Sequence, residues 1–139
     1  MTVNEAAEIL HARKCSCVIC NNGEVTVCNE RGVKDLFRIL RNNPEILSGA
    51  TIADKVIGKG AAALMIAGGA AAVYADVISA AAVGLFATAG TSVEFKECVP
   101  AIRNRAGTGI CPVESLCAGC RTAAECIPLI EQFLLNKPI

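Results

Sequence analysis

The stretch Gly60-Ala-Ala-Ala-Leu-Met-Ile-Ala-Gly-Gly-Ala-Ala-Ala-Val73 leaves this chain few folds to choose from. It is apolar throughout, yet it falls short of the roughly 20 residues a helix needs to cross a bilayer. Gly68-Gly69 reads as a helix stop, and Asp76 interrupts the apolar character before the next such segment. A run of this kind is expected as a buried helix lying close on a sheet. The rest of the composition agrees. Hydrophobic residues make up 53% of the 139 positions but aromatics only 4%, so the core must be built from small aliphatic side chains at high packing density.

One domain is expected at this length, spanning 1–139, with residues 114–139 as a helical, cysteine-rich extension. Thirteen Lys and Arg balance thirteen Asp and Glu. Net neutrality argues against a non-specific binder of nucleic acid or of a membrane surface, which needs a basic field. The N-terminal residues Met1 to Glu8 are acidic and have neither the basic nor the apolar region of a secretion signal. The expected location is the cytoplasm, where the nine cysteines would be reduced thiols or ligands.

The order of elements predicts an α/β fold. Asn4 can cap a helix to about Ala12. The β-rich runs 15–20 and 24–28 flank Asn21-Asn22-Gly23, and Asn-Gly is a strong hairpin signal. After Gly32, an amphipathic helix would turn Val33, Leu36, Phe37 and Leu40 inward. Asp54 is expected to open the alanine-rich helix that closes near Gly68-Gly69. Ala72 to Val77 reads as a buried strand, Ser79 as the cap of a helix ended by Gly90, and Thr91 to Glu97 as a half-exposed strand with Val93 and Phe95 inward. Thr122-Ala-Ala-Glu125 matches a capping box. Together these predict a three-layer α/β/α sandwich with an N-terminal β-hairpin and a mixed sheet.

Two segments hold most of the chemically useful groups: Asp54-Lys-Val-Ile-Gly-Lys-Gly60 and Asn104-Arg-Ala-Gly-Thr-Gly-Ile-Cys-Pro-Val-Glu114. On a helix, Lys55 and Lys59 would lie one turn apart, their charges repelling beside a positive helix terminus. An anion held by Lys55, Gly58, Lys59 and the free N–H groups of the first turn would relieve that strain. A solvated face with Asp54 as a simple cap is the alternative. Asp76, near the end of a strand, and Ser79, at the start of a helix, occupy positions where α/β sheets bind ligands. They could equally brace a loop and cap a helix.

The cysteines divide into two sets. Cys15 and Cys17 would share one face of a strand and Cys20 the other, so those three cannot converge on a metal. A two-residue turn at Asn22-Gly23 would set Cys17 opposite Cys28, as a thiol pair or as two small buried hydrophobes. Cys111, Cys117, Cys120 and Cys126 include one Cys-x-x-Cys, a signal for zinc or an iron–sulfur cluster that lacks a second pair. Cys111 followed by Pro112 and Glu114 reads as a helix cap. There its thiol would meet unpaired N–H groups, with Asn104 and Arg105 nearby, or it would be an inert cap.

Arg31-Gly32-Val33, Ala53 to Lys59, Tyr74-Ala-Asp-Val-Ile-Ser79, Asn104-Arg105, Gly107, Gly109 and Cys111 to Glu114 together resemble a family of uncharacterised proteins, domain-of-unknown-function family 1893. The resemblance runs from the first helix to Glu114 and does not extend to the cysteines beyond. It implies a cytidine-deaminase-like fold that lacks the deaminase zinc signature. Such a signature places His- or Cys-x-Glu and then Pro-Cys-x-x-Cys at two helix starts. Here those starts read Asp54-Lys-Val and Ile78-Ser-Ala-Ala-Ala82, with neither the ligands nor the catalytic Glu.

The sequence therefore leads to the expectation of a zinc-free pocket for a small polar or anionic, nucleotide-like ligand. Asp54, Lys55 and Cys111 are the candidates for chemistry. Lys55, Gly58, Lys59, Asp76, Ser79, Asn104, Arg105 and Glu114 are the candidates for binding. No cofactor is expected, the alternative being zinc or iron–sulfur at the four C-terminal cysteines. The expected partner is a small molecule, self-association into a homodimer is left open, and neither nucleic acid nor a membrane is expected.

Overall fold

In a computed structural model describing residues 1–30, 33–104 and 106–136, five strands form one mixed sheet flanked by helices. The elements in chain order are α1 (Val3–Arg13), β1 (Cys17–Asn21), β2 (Glu24–Cys28), α2 (Lys34–Asn42), a 3₁₀ turn (Pro44–Ile46), β3 (Thr51–Ile57), α3 (Lys59–Gly68), β4 (Ala72–Ser79), α4 (Ala80–Ala89), β5 (Ser92–Val99), α5 (Pro112–Leu116) and α6 (Ala123–Asn136). The strand order is β2-β1-β3-β4-β5. The hairpin pairs antiparallel, β1 joins β3 antiparallel, and β3-β4-β5 run parallel.

The hairpin turns where the sequence predicts. Asn22 and Gly23 both adopt left-handed backbone, φ 51° and 80°. That is the conformation a two-residue turn needs to match the strand twist, and Asn and Gly are the residues that tolerate it. The register then follows, and Cys17 stands opposite Cys28. α1 covers one face of the sheet through Ala6 and Leu10, packing on Val18, Cys20 and Ala53. The main core lies on the other face under α2, α3 and α4, and α6 packs against α3. Two faces covered by helices make the three-layer α/β/α arrangement. Among the described residues, no helix is long and apolar enough to cross a membrane.

Several local expectations are corrected. Thr2, not Asn4, caps α1, in a reciprocal capping box with Glu5. Phe95 is 43% exposed because β5 is an edge strand, and Val93 alone of the expected pair turns into the core. Cys15 precedes β1 and lies with Cys20 on the α1 face, away from Cys17. The largest correction concerns Asp54, which lies within β3, with α3 beginning only at Lys59 behind the extended cap Gly58. The β-branched residues Thr51, Ile52, Val56 and Ile57 suit a central strand paired on both sides. Lys55 and Lys59 thus do not share a helical face.

Candidate functional site

The start of α3 and the start of α4 lie side by side after two parallel strands, and both meet Glu114 of α5. Its carboxylate is buried and accepts three hydrogen bonds. Lys59 N–H (2.9 Å) and Ser79 Oγ (3.1 Å) donate to Oε1, and Ile102 N–H (2.8 Å) donates to Oε2. Ser79 Oγ also accepts from Ala82 N–H at 3.2 Å, capping α4. A negative charge at two helix N-termini is favoured by their dipoles. A Cβ on Gly58 would sit 3.4 Å from Glu114 Oε2, so this glycine admits the carboxylate closely. Lys59 is buried too, and its ammonium donates to the carbonyls of Ala118 and Cys120. The anion position foreseen at this helix start is filled by the chain's own carboxylate. Gly58, Lys59, Ser79 and Glu114 are brought together as a clamp joining α3, α4 and the 102–114 loop.

The other foreseen residues lie apart from that clamp. Lys55 is exposed on β3. Asp76 accepts from His11 Nε2 (2.8 Å) and Tyr74 OH (2.6 Å). Burial pushes its carboxyl up, but those hydrogen bonds outweigh burial and hold it below the usual range. Burial and the bond to Asp76 push the Tyr74 hydroxyl up to about 12. Asn104 is spent on its own loop, its side chain bonding Thr108 twice. Arg105 lies outside the described residues. Cys111 stands at the head of α5, half-buried against the main core, and its side chain makes no capping bond.

The residues that converge on open space are different. A cleft of about 360 Å³ lies at the carboxyl end of β3, bounded by the start of β1, the end of β2 and the first turn of α2. Its size falls at the low end of the roughly 300–1,000 Å³ usual for small-molecule sites. Cys17, Cys28 and Asp54 line it, with Asp35 to one side and Lys14 and Lys55 also on its wall. Cys17 is the strand partner of both Cys28 and Asp54, which is why the three side chains meet.

Burial pushes the Asp54 carboxyl up to about 7, against the opposing effect of the bond it accepts from Val56 N–H at 3.2 Å. Cys17 and Cys28 face each other as directly opposed partners across the hairpin. That contact and burial drive Cys17 well above the ordinary thiol value, while the same contact draws Cys28 below it. Asp35, buried and paired with Arg38 at 3.0 Å, also accepts from Glu30 N–H. The cleft thus holds a protonatable carboxyl, a polarised thiol pair and flanking cations. Sequence reasoning foresaw the Cys17–Cys28 pairing but missed their convergence on Asp54. The β-branched run 51–57 was the available signal.

The C-terminal thiols Cys117, Cys120 and Cys126 are neighbours, and burial pushes Cys117 and Cys126 up. Cys126 Sγ donates to the Thr122 carbonyl at 3.6 Å. Among the described residues, no group of three or more His, Cys, Asp or Glu is arranged to hold a metal ion.

Fold and cleft together define a small α/β protein with a polar cleft where the antiparallel hairpin meets the carboxyl end of β3. The chain belongs to the TM1506 family, a domain of unknown function (DUF1893), whose model matches residues 5–134. The match runs on past Glu114 into α6, so the cysteine-bearing end is part of the family's domain. A crystal structure of a DUF1893 family protein (TM1506) from Thermotoga maritima is similar, with 23% identity, a TM-score of 0.85, and coverage of 94% of this chain and 88% of that one. At that identity the likeness carries the fold alone. No curated protein matches this chain.

Proposed function

We propose that the protein binds a small polar ligand in the cleft formed by β1, β2, α2 and the end of β3. The observation that carries this reading is the buried Asp54 carboxyl lining open space. Burying a carboxyl is costly unless it is compensated, and here the protein supplies the backbone N–H groups of Val56 and Lys55 and the Cys17 thiol, and no cation among the described residues. A ligand donor would supply the rest. Lys14 and Lys55 can meet an anionic group on the same molecule, which keeps nucleotides and sugar phosphates among the expected ligands. The position also agrees with the general placement of ligands beyond the carboxyl ends of strands in α/β sheets.

Thermal-shift screening against nucleotides, nucleobases and sugar phosphates tests this reading, with Asp54→Asn and Ser79→Ala variants run in parallel. A ligand that stabilises the wild type should lose its effect in Asp54→Asn and keep it in Ser79→Ala. The opposite pattern would move the site to the helix starts at Glu114 and overturn the reading.

A further inference from the structure

We propose that Cys17 and Cys28 form a dithiol centre that reduces a low-molecular-weight disulfide entering this cleft. The inference rests on the cleft admitting a small polar molecule, and adds to that reading the class of substrate and the reaction.

Three observations carry it. First, Cys17 and Cys28 are directly opposed on antiparallel strands. Such residues have Cα atoms about 4.5–5.5 Å apart, within the roughly 4.4–6.8 Å that a disulfide spans. Opposed Cβ atoms lie about 4.5–5.5 Å apart against the roughly 3.5–4.5 Å of a disulfide, so closing the pair needs the two strands to draw together only slightly. Second, both thiols line the cleft, as does Cys15, which packs with the α1 face and has no cysteine as strand partner, whereas Cys20, Cys117 and Cys126 line no part of it. Third, a carboxyl stands against Cys17 in the core of the sheet. Two cysteines serving only as small hydrophobes would gain nothing from a buried Asp54, and an apolar residue there would cost less.

The roles follow from the contacts. Cys17 is the strand partner of both Cys28 and Asp54, so it has the base beside it and Cys28 is left to meet the substrate. The neighbouring Cys17 and the Arg38 guanidinium favour the Cys28 thiolate, against burial and the charges of Asp35 and Asp54. Cys28 is the nucleophile. Its thiolate, having lost its proton to solvent, attacks one sulfur of the substrate RSSR. The S–S bond breaks, and RS⁻ leaves with the electron pair and takes up a proton as RSH. Cys17 then passes its proton to the Asp54 carboxylate and attacks the Cys28 sulfur. The Cys28–SR bond breaks, and the second RS⁻ leaves as RSH with the proton from Asp54. Two protein thiols are oxidised to one disulfide, and one small disulfide is reduced to two thiols.

The test uses the whole reduced protein mixed with oxidised glutathione, acid-quenched over time, alkylated and mapped by mass spectrometry. The expected product is a Cys17–Cys28 disulfide. The Cys17→Ser variant should stop at one glutathione on Cys28. In Asp54→Asn the internal disulfide should form at least tenfold more slowly than in the wild type, since a positioned base contributes of order 10²–10⁴. The proposal is overturned if Cys17 and Cys28 remain alkylatable while glutathione adds only to the exposed Cys98 or oxidises the Cys117–Cys126 group. It is overturned equally if Asp54→Asn forms the disulfide at the wild-type rate. A Cys17→Ser, Cys28→Ser double variant separates the two readings. If it retains the thermal shift with a redox-inert ligand while the wild type forms no disulfide, the cleft binds ligand and the dithiol chemistry alone fails.

Discussion

Replacing Asp54 with Asn isolates the cost of keeping a carboxyl in the sheet. The folded carboxyl titrates at about 7 against an ordinary value of 3.8. Below the lower value both folded and unfolded chains hold the proton, and the group adds nothing to the pH dependence. Between the two values the folded protein keeps a proton that the unfolded chain has released, so stability falls as pH rises, by about 1.36 kcal/mol per unit. Across about three units this reaches about 4 kcal/mol, a large share of the roughly 5–15 kcal/mol that holds a domain together. Above about pH 7 the carboxyl is ionised in both states and the loss is complete.

Asn has no proton to lose, and its Oδ1 can still accept from Val56 N–H. The stability of Asp54→Asn relative to wild type should therefore rise by about 4 kcal/mol between about pH 4 and pH 8. Urea unfolding followed by circular dichroism at intervals across that range measures it. The carboxyls of Glu5 and Asp76, both held low, pull the other way in each protein and cancel in the difference. A difference that stays within about 0.5 kcal/mol, or that turns in favour of the wild type as pH rises, refutes the burial argument.

Five further variants test the packing and the hydrogen bonding. Glu114→Ala strips the acceptor from Lys59 N–H, Ile102 N–H and Ser79 Oγ together and should cost about 3–5 kcal/mol in chemical denaturation; a loss below about 1 kcal/mol would mean water replaces the carboxylate freely. Gly60→Ala would place a Cβ 2.3 Å from Val113 Cγ1 and should destabilise by about 1–3 kcal/mol. Gly84→Ala in α4, where nothing lies within 4 Å, should stabilise by about 0.5–1 kcal/mol, and equal effects at the two sites would contradict the packing. Lys55→Ala, at an exposed position, should leave stability within about 0.5 kcal/mol, whereas Lys59→Ala removes the donor to the Ala118 and Cys120 carbonyls and should cost about 1–3 kcal/mol by the same measurement.

What the sequence makes legible here is what local chemistry decides. Asn22-Gly23 admits few conformations besides the tight turn, and that turn alone sets Cys17 against Cys28. Ser79 and Gly90 bracket α4 because a hydroxyl cap and a left-handed glycine act within one turn of the residues they terminate. Asp54 defeats the same approach. An acidic residue shortly before an alanine run has the form of a helix cap; the β-branched residues on either side favour a strand, and pairing with β1 and β4, both distant in sequence, decides for it. Glu114 is more remote still, 55 residues from the N–H it accepts from.

The helix starts do recruit an anion, as their dipoles require, but the anion is a side chain of the protein. That has a consequence for any ligand. With both termini already neutralised, helix dipoles add little to the binding of an incoming anion, and Lys55 is exposed and screened by salt. Discrimination must then come from the desolvated groups of the cleft. Asp54 and the Cys17–Cys28 pair are buried side chains of that wall, Asp35 being already paired with Arg38, and a ligand that leaves Asp54 unpaired forfeits the compensation that makes a buried carboxyl tolerable.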